Sequence, residues 1–195
     1  MIRQDRDFVK RVANLLISLH ITKPACVRPP ARRTIDPMPF NEGSPTSVSA
    51  FQNAVDASQI TPLIWQGGYP ARMRGFGALV LCARELQERP PCAADVRLIR
   101  APMDDTDDPA SQPAICRTAI EAARRVLDEI SEGRTVLVTC AQGRNRSGLA
   151  TALAILQLYG VSGAEALEIV RRARPRALTN PAFADFLERI PRREV

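Results

Sequence analysis

The sequence predicts an α/β fold: a mostly parallel central sheet of four to five strands, flanked by helices. Three observations predict it. β-forming runs come first, with helical stretches flanking and following them, the order of a layered α/β domain. Residues 78–82 (ALVLC) are an uninterrupted apolar run, as expected of a strand covered on both faces. Residues 135–139 are β-formers that lead through a short polar loop into a long stretch of good helix formers.

Taken in order, residues 1–59 read differently from the rest. Phe8, Val12, Leu15, Leu16 and Leu19 share one helical face over 5–21, with Asp5, Arg6, Lys10 and Arg11 elsewhere. Such a helix suits docking on the domain, a signal peptide or a membrane surface. Docking is favoured, because Asn14 and His20 interrupt the apolar core and Asp5 and Asp7 dilute the basic face. Residues 23–49 carry six prolines among Arg, Asn, Gly and Ser, which marks an extended connector. The expected division is therefore an N-terminal helix and Pro-rich extension over 1–59, and the domain proper over 60–195.

Within that domain, 62–66 reads as a short strand closing on Gly67-Gly68. The strand at 78–82 follows, then an alternating one at 95–100 that leads into the acidic segment 104–108. Ile115, Ile120, Ala123, Val126, Leu127 and Ile130 recur at helical spacing over 112–130, and Ser131-Glu132-Gly133 ends that helix. After the strand at 135–139 come helices at 147–159, stopped by Gly160, at 164–174 and at 181–190. Asn180-Pro181 reads as N-cap and first helical residue.

Composition sets bounds. Only two of the 27 basic residues are lysines (Lys10 and Lys23), so the net charge of +6 is an arginine charge. Without a clustered basic stripe or an aromatic stacking surface it suits an anionic substrate better than nucleic acid. No apolar run approaches the roughly 20 residues that span a bilayer. The five cysteines are odd in number and lack metal-ligand spacing, which points to reduced thiols in the cytoplasm and no metal site.

Chemistry concentrates at 134–158, RTVLVTCAQGRNRSGLATALAILQL. A strand, a short loop and a helix N-terminus make an anion site, because the loop amides and the first unpaired helical N–H groups point at one spot. Cys140 sits at the strand exit facing that spot, where its thiolate is favoured. Arg146 closes the loop with a planar fork suited to two phosphate oxygens. Ser147, on the first helical turn, has a hydroxyl to donate to the sulfur.

CAQGRNRSG resembles the C-x5-R-[ST] loop of the cysteine-dependent protein tyrosine phosphatases, and its surroundings resemble the dual-specificity branch. The preceding strand, Gly143, Arg146-Ser147-Gly148 and the small-residue helix carry the likeness together. The resemblance covers about 60–190 and implies a phosphatase acting on phosphate monoesters through a cysteinyl-phosphate. Ala141, Gln142, Gly143, Arg144, Asn145 and Arg146 would cradle the phosphate, with no cofactor required. One departure is Thr139, where the family usually has a histidine. The acid that protonates the leaving group follows a strand-ending proline by three positions in related enzymes, and Pro102 then points to Asp105, with Asp104 the alternative.

Residues 80–85 (VLCARE) resemble the strand of lipid phosphatases whose cysteine can pair with the nucleophile, which makes Cys82 a candidate redox partner. The expected substrate is a phosphotyrosine or phosphoserine/threonine protein. Arg144 resembles the basic loop residue of inositol-lipid phosphatases, and Asn145-Arg146 the loop of RNA 5′-triphosphatases. The acidic cluster argues against the RNA reading, since those enzymes dispense with the Asp. A pseudophosphatase that binds phosphate without turnover is a further alternative, favoured by Thr139 alone.

Overall fold

The computed structural model describes residues 56–70 and 72–192. The amphipathic segment at 5–21, His20 and the proline-rich connector lie outside the described residues. Five strands form one sheet in the order β1-β2-β5-β3-β4: β1 (Ala57–Gln59), β2 (Ile64–Gly67), β3 (Ala78–Ala83), β4 (Arg97–Met103) and β5 (Val136–Thr139). β1 pairs antiparallel with β2, and every other pairing is parallel. Helices α1 (Gln112–Ser131), α2 (Arg146–Tyr159), α3 (Gly163–Ala173) and α4 (Pro181–Glu188) follow. The expected fold class is thus the observed one. β1 is an addition: three residues reading Ala-Ser-Gln give no strand signal, and only pairing with β2 makes them one.

β5 lies between β2 and β3, and all residues of β3 and β5 are buried, which explains their continuous apolar text. One sheet face presents Ile64, Val80, Val136 and Val138 to a core shared by all four helices. Helix α2 is its centre, with every residue from Arg146 to Leu156 buried. Small residues such as Ala150, Ala152 and Ala154 let it lie close against the sheet and its neighbours. The opposite face, with Trp65, Leu79, Leu81 and Leu137, is covered by Met73, Phe76 and Ala93 from connecting segments. The Trp65 and Phe76 rings meet edge to face at 5.8 Å.

Element ends follow local chemistry. Gly160 stops α2 in the left-handed conformation at φ 66°, and Ser162 with Glu165 forms a reciprocal capping box at the start of α3. No helix among the described residues is long and apolar enough to cross a membrane. The parallel strands β3, β4 and β5 end on one side of the sheet, so the segments after them are brought together there.

Candidate active site

The loop after β5 is shaped by what holds its carbonyl groups. The Ala141 carbonyl accepts from the Tyr69 N–H at 3.4 Å and the Arg144 carbonyl from the Leu178 N–H at 3.2 Å. The buried Gln66 amide donates to the Gly143 carbonyl at 3.1 Å and to that of Arg144 at 3.4 Å. Arg174, at the end of α3, donates from Nε to Gly143 at 2.6 Å and from Nη2 to Gln142 at 3.2 Å. The same guanidinium is fixed behind by Asp56 at 3.0 Å. A peptide plane carries its N–H opposite its C=O. Four carbonyls turned outward therefore turn the amides of Gln142, Gly143, Arg144 and Asn145 toward the inside of the loop.

Gly143 makes this curvature possible. Its φ is +64°, and a Cβ there would lie 2.2 Å from the Gly67 carbonyl carbon and 2.4 Å from the Gly68 nitrogen. The Gly67-Gly68 turn of β2 is thus the seat on which the loop rests. Asn145 starts α2 with no side-chain cap, so the first helical N–H groups are not spent on a capping oxygen. Inward amides and an uncapped helix N-terminus make one concave donor surface, which can bind a tetrahedral oxyanion.

Cys140 stands at the base of that surface, 3% exposed, with Sγ 3.3 Å from the Ser147 hydroxyl oxygen. The hydroxyl can donate to the sulfur when the sulfur is anionic. Arg146 is nearly buried, and its Nη1 and Nη2 donate to the Glu85 carboxylate at 2.6 and 2.8 Å. Nη1 also reaches the Met103 carbonyl at 3.3 Å. Burial opposes the Arg146 charge, but Glu85 and the nearby Cys140 and Asp105 outweigh it and hold the guanidinium above the ordinary arginine value. The hydrogen bonds from Arg146 in turn hold the Glu85 carboxyl below the usual glutamate value. Arg146 Nε is buried without a partner among the described residues, which leaves one edge of the fork for an oxyanion.

The acidic segment after β4 sits beside the loop. Asp105 accepts from Asn145 Nδ2 at 3.1 Å and from Asn180 Nδ2 at 3.0 Å. Asp104 turns away and pairs with Arg84 Nε at 2.8 Å. Asp108 accepts from the Ser111 hydroxyl at 2.7 Å as part of the turn into α1, and these hydrogen bonds hold its carboxyl below the usual value. Of the two aspartates the sequence leaves open, Asp105 touches the loop and Asp104 is tied off. Thr139 donates its hydroxyl to the Val80 carbonyl at 3.0 Å, joining β5 to β3. Arg144 makes no side-chain hydrogen bond or ion pair among the described residues.

Cys140, Arg146, Ser147 and Asp105 therefore converge with the amides of 142–145. Cys82 is also near enough to feel the Cys140 charge: the last β3–β5 partners are Leu81 and Thr139, the residues just before the two cysteines. Sequence reasoning missed Gln66, Glu85 and Arg174, and it read Asn180 only as a cap. A glutamine inside an apolar strand was the one available signal, because a fully buried amide must find partners.

Known proteins resemble this chain in sequence and in fold. Residues 71–192 match the family model "Dual specificity phosphatase, catalytic domain". Human dual specificity phosphatase 28 is 33% identical over 118 residues, 57% of this chain and 61% of that protein, so the chain spans under two thirds of this relative. The crystal structure of Tk-PTP in the active form matches with a TM-score of 0.59 and 27% identity, over 69% of this chain and 98% of that one. The crystal structure of human DUSP28 gives a TM-score of 0.59 and 26% identity, over 68% and 90%. With its fold, its signature loop and a matched domain model in agreement, the chain belongs to the dual-specificity phosphatase family.

Proposed function

We propose that this protein is a cysteine-dependent phosphatase that hydrolyses phosphate monoesters, phosphotyrosine and phosphoserine/threonine on proteins, through a cysteinyl-phosphate. The observation that supports it most is the Cys140 sulfur at the base of a loop whose Ala141, Gln142, Gly143 and Arg144 carbonyls are held outward, with Ser147 at 3.3 Å from it. In the first step the Cys140 thiolate attacks phosphorus in line. The inward amides and the Nε edge of Arg146 stabilise the equatorial oxygens. As the P–O bond breaks, the Asp105 carboxyl gives its proton to the departing oxygen, an effect commonly worth about 10²–10⁴-fold. In the second step the Asp105 carboxylate takes a proton from water, whose oxygen attacks phosphorus. The P–S bond breaks, inorganic phosphate leaves, and the Ser147 hydroxyl donates to the returning thiolate.

Turnover of 4-nitrophenyl phosphate by the wild type, abolished in Cys140→Ser, is the expected result. Phosphopeptides carrying phosphotyrosine, phosphoserine or phosphothreonine then rank the substrates. Thr139 favours a second reading, a phosphate-binding pseudophosphatase, because its hydroxyl is used on Val80 and leaves the loop without that residue's support. Phosphate binding without turnover by the wild type would establish that reading and overturn the first.

Cys82 fits a protective role for the nucleophile. Burial pushes its thiol well above the ordinary value, and the neighbouring Cys140 adds to this while Arg146 partly offsets it. Cys82 therefore stays a protonated thiol while peroxide oxidises the Cys140 thiolate to a sulfenic acid, releasing hydroxide. Attack by the Cys82 sulfur then displaces water and forms the S–S bond. Peroxide treatment followed by peptide mass spectrometry should give a linked 82–140 peptide, and its absence rejects the role. A nucleophile that acts as a thiolate suits a reducing compartment such as the cytoplasm.

A further inference from the structure

We infer that Asn145 and Asn180 form an amide clamp that positions Asp105 and fixes which lone pair of its carboxyl carries the transferable proton. The inference deepens the phosphatase reading and rests on it. Asp105 is an exposed residue on an exposed segment, yet each of its carboxylate oxygens accepts a side-chain hydrogen bond, Oδ2 from Asn145 and Oδ1 from Asn180. The donors come from separate elements. Asn145 is the last loop residue before Arg146, and Asn180 caps α4.

The orientation of both amides is determined by their oxygens. Asn145 Oδ1 accepts from the Asn180 N–H at 3.0 Å and from the Thr179 hydroxyl at 3.2 Å. Asn180 Oδ1 accepts from the Ala182 N–H at 3.0 Å, as an N-cap does. Flipping either amide would set an NH2 group against a backbone N–H, so each presents Nδ2 to Asp105. Asn180 Nδ2 also reaches the Thr106 carbonyl at 3.2 Å, which ties the backbone of the acidic segment to the same point.

The consequence is stereochemical. A carboxyl oxygen has two lone-pair directions, and the clamp occupies one on each oxygen with a donor. A proton on Asp105 is thereby confined to the directions that the amides leave open. Since Asn145 belongs to the loop that holds the phosphate, acid and nucleophile are keyed to each other through one side chain. Proton transfer of this kind depends on heavy-atom geometry within hydrogen-bond reach, so losing the clamp should slow the reaction where the proton matters most.

The test compares kcat/KM, which reports phosphoryl transfer to Cys140, for 4-nitrophenyl phosphate and phenyl phosphate. The first leaving group needs little protonation and the second needs much. Asn180→Ser keeps a capping oxygen and replaces the Nδ2 amide that reaches Asp105 by a shorter hydroxyl. It should lower kcat/KM for phenyl phosphate about ten-fold more than for 4-nitrophenyl phosphate, a fraction of the general-acid effect. Asp105→Asn should show the same selectivity in larger measure. Asn145→Ser is the second variant, and it decides the matter if Asn180→Ser proves unfolded by its thermal melt.

An equal fall on both substrates marks a merely structural role and overturns the clamp, as does no fall at all. Either result leaves the phosphatase reading standing if turnover still depends on Cys140. Absence of Cys140-dependent turnover in the wild type overturns both.

Discussion

Two segments meet at the candidate active-site edge of the sheet, and they are built on opposite plans. The loop after β5 has Cys140 and Gly143 buried, rests on the Gly67-Gly68 turn, and has its carbonyls braced by Tyr69, Gln66, Arg174 and Leu178. The segment after β4 is exposed from Asp107 to Ala110, and its aspartates are held by side chains: Arg84 for Asp104, and two amides for Asp105. The contrast matches the chemistry proposed for each. Oxyanion stabilisation gains from dipoles already aimed before the reaction begins. An acid that later serves as a base must change its protonation state and exchange with water, which a rigid, dry setting would hinder. The lesson is that the loop presents backbone dipoles braced from behind, while the acidic segment presents side chains held by other side chains.

The strongest way to break the comparison is at Gly143. Gly143→Ala places a Cβ 2.2 Å from the Gly67 carbonyl carbon at a φ of +64°. The loop must then open, and turnover should fall at least about 10³-fold, the scale of losing several oxyanion donors. Circular dichroism and turnover of 4-nitrophenyl phosphate measure this together. Retention of activity within a few-fold would mean that the amide ring is not what drives the reaction.

Arg174 comes next. Its guanidinium joins the Gln142 and Gly143 carbonyls to Asp56, and only 13% of its side chain is exposed. Arg174→Ala should lower kcat by about 10²-fold, comparable to removing one oriented oxyanion donor. Arg174→Lys should recover little of it, since a single ammonium lacks the planar fork. Removing Arg84, the analogous brace of the acidic segment, should cost only a few-fold. That inequality is the comparison put in numbers, and comparable losses in the two variants would abolish it.

The same division explains what could be read beforehand. The signature loop is contiguous, so Cys140, Gly143, Arg146 and Ser147 declare themselves within one short stretch of sequence. Its braces do not. Arg174 lies 31 residues from Gly143, and Gln66 lies 77 away on another strand. An arginine late in an arginine-rich helix carries no mark of its target. Glu85 lies three residues beyond Cys82 with no mark of its own, and its grip on Arg146 becomes visible only once β3 and β5 are adjacent. Asn180 was read correctly as a cap, but a cap uses only the amide oxygen; the NH2 group faces Asp105 across 75 residues. β1 escaped notice because its three residues owe their strand conformation to β2. Local patterns reveal elements and contiguous motifs, while the side chains that aim them are specified by topology.

Glu85 supplies a prediction of intermediate size. Its carboxylate engages both terminal nitrogens of Arg146 at the edge opposite the unpartnered Nε. Glu85→Ala frees a nearly buried guanidinium to swing, and should raise KM and lower kcat/KM about ten-fold, in line with a lost charge-assisted, bidentate pair. Glu85→Gln should recover part of the loss by keeping one acceptor. A fall in kcat with KM unchanged would show instead that Glu85 acts only in the transition state.

The smallest effect tests whether the brace on the loop can be loosened from a distance. Helix α3 carries Arg174 at its C-terminal end and starts with the Ser162–Glu165 capping box. Hydrogen bonds from Arg192, then from the Ser162 N–H and hydroxyl, lower the Glu165 carboxyl from 4.5 to about 2. A carboxyl depressed in the folded state stabilises the fold fully above its unfolded value, and that stabilisation is lost as the pH falls from about 4.5 toward about 2. The Glu165 side chain is about a third exposed and that of its partner Arg192 mostly so, which makes the loss modest and salt-sensitive. Melting temperatures recorded from neutral pH down to pH 2 should therefore fall more steeply in the wild type than in Glu165→Gln. Across the same window, binding of sulfate to the loop should weaken more in the wild type than in the variant, if α3 transmits the loss to Arg174. Parallel binding curves with diverging melts would confine the effect to the helix start and leave the loop's rigidity to Gln66 and the Gly67-Gly68 seat.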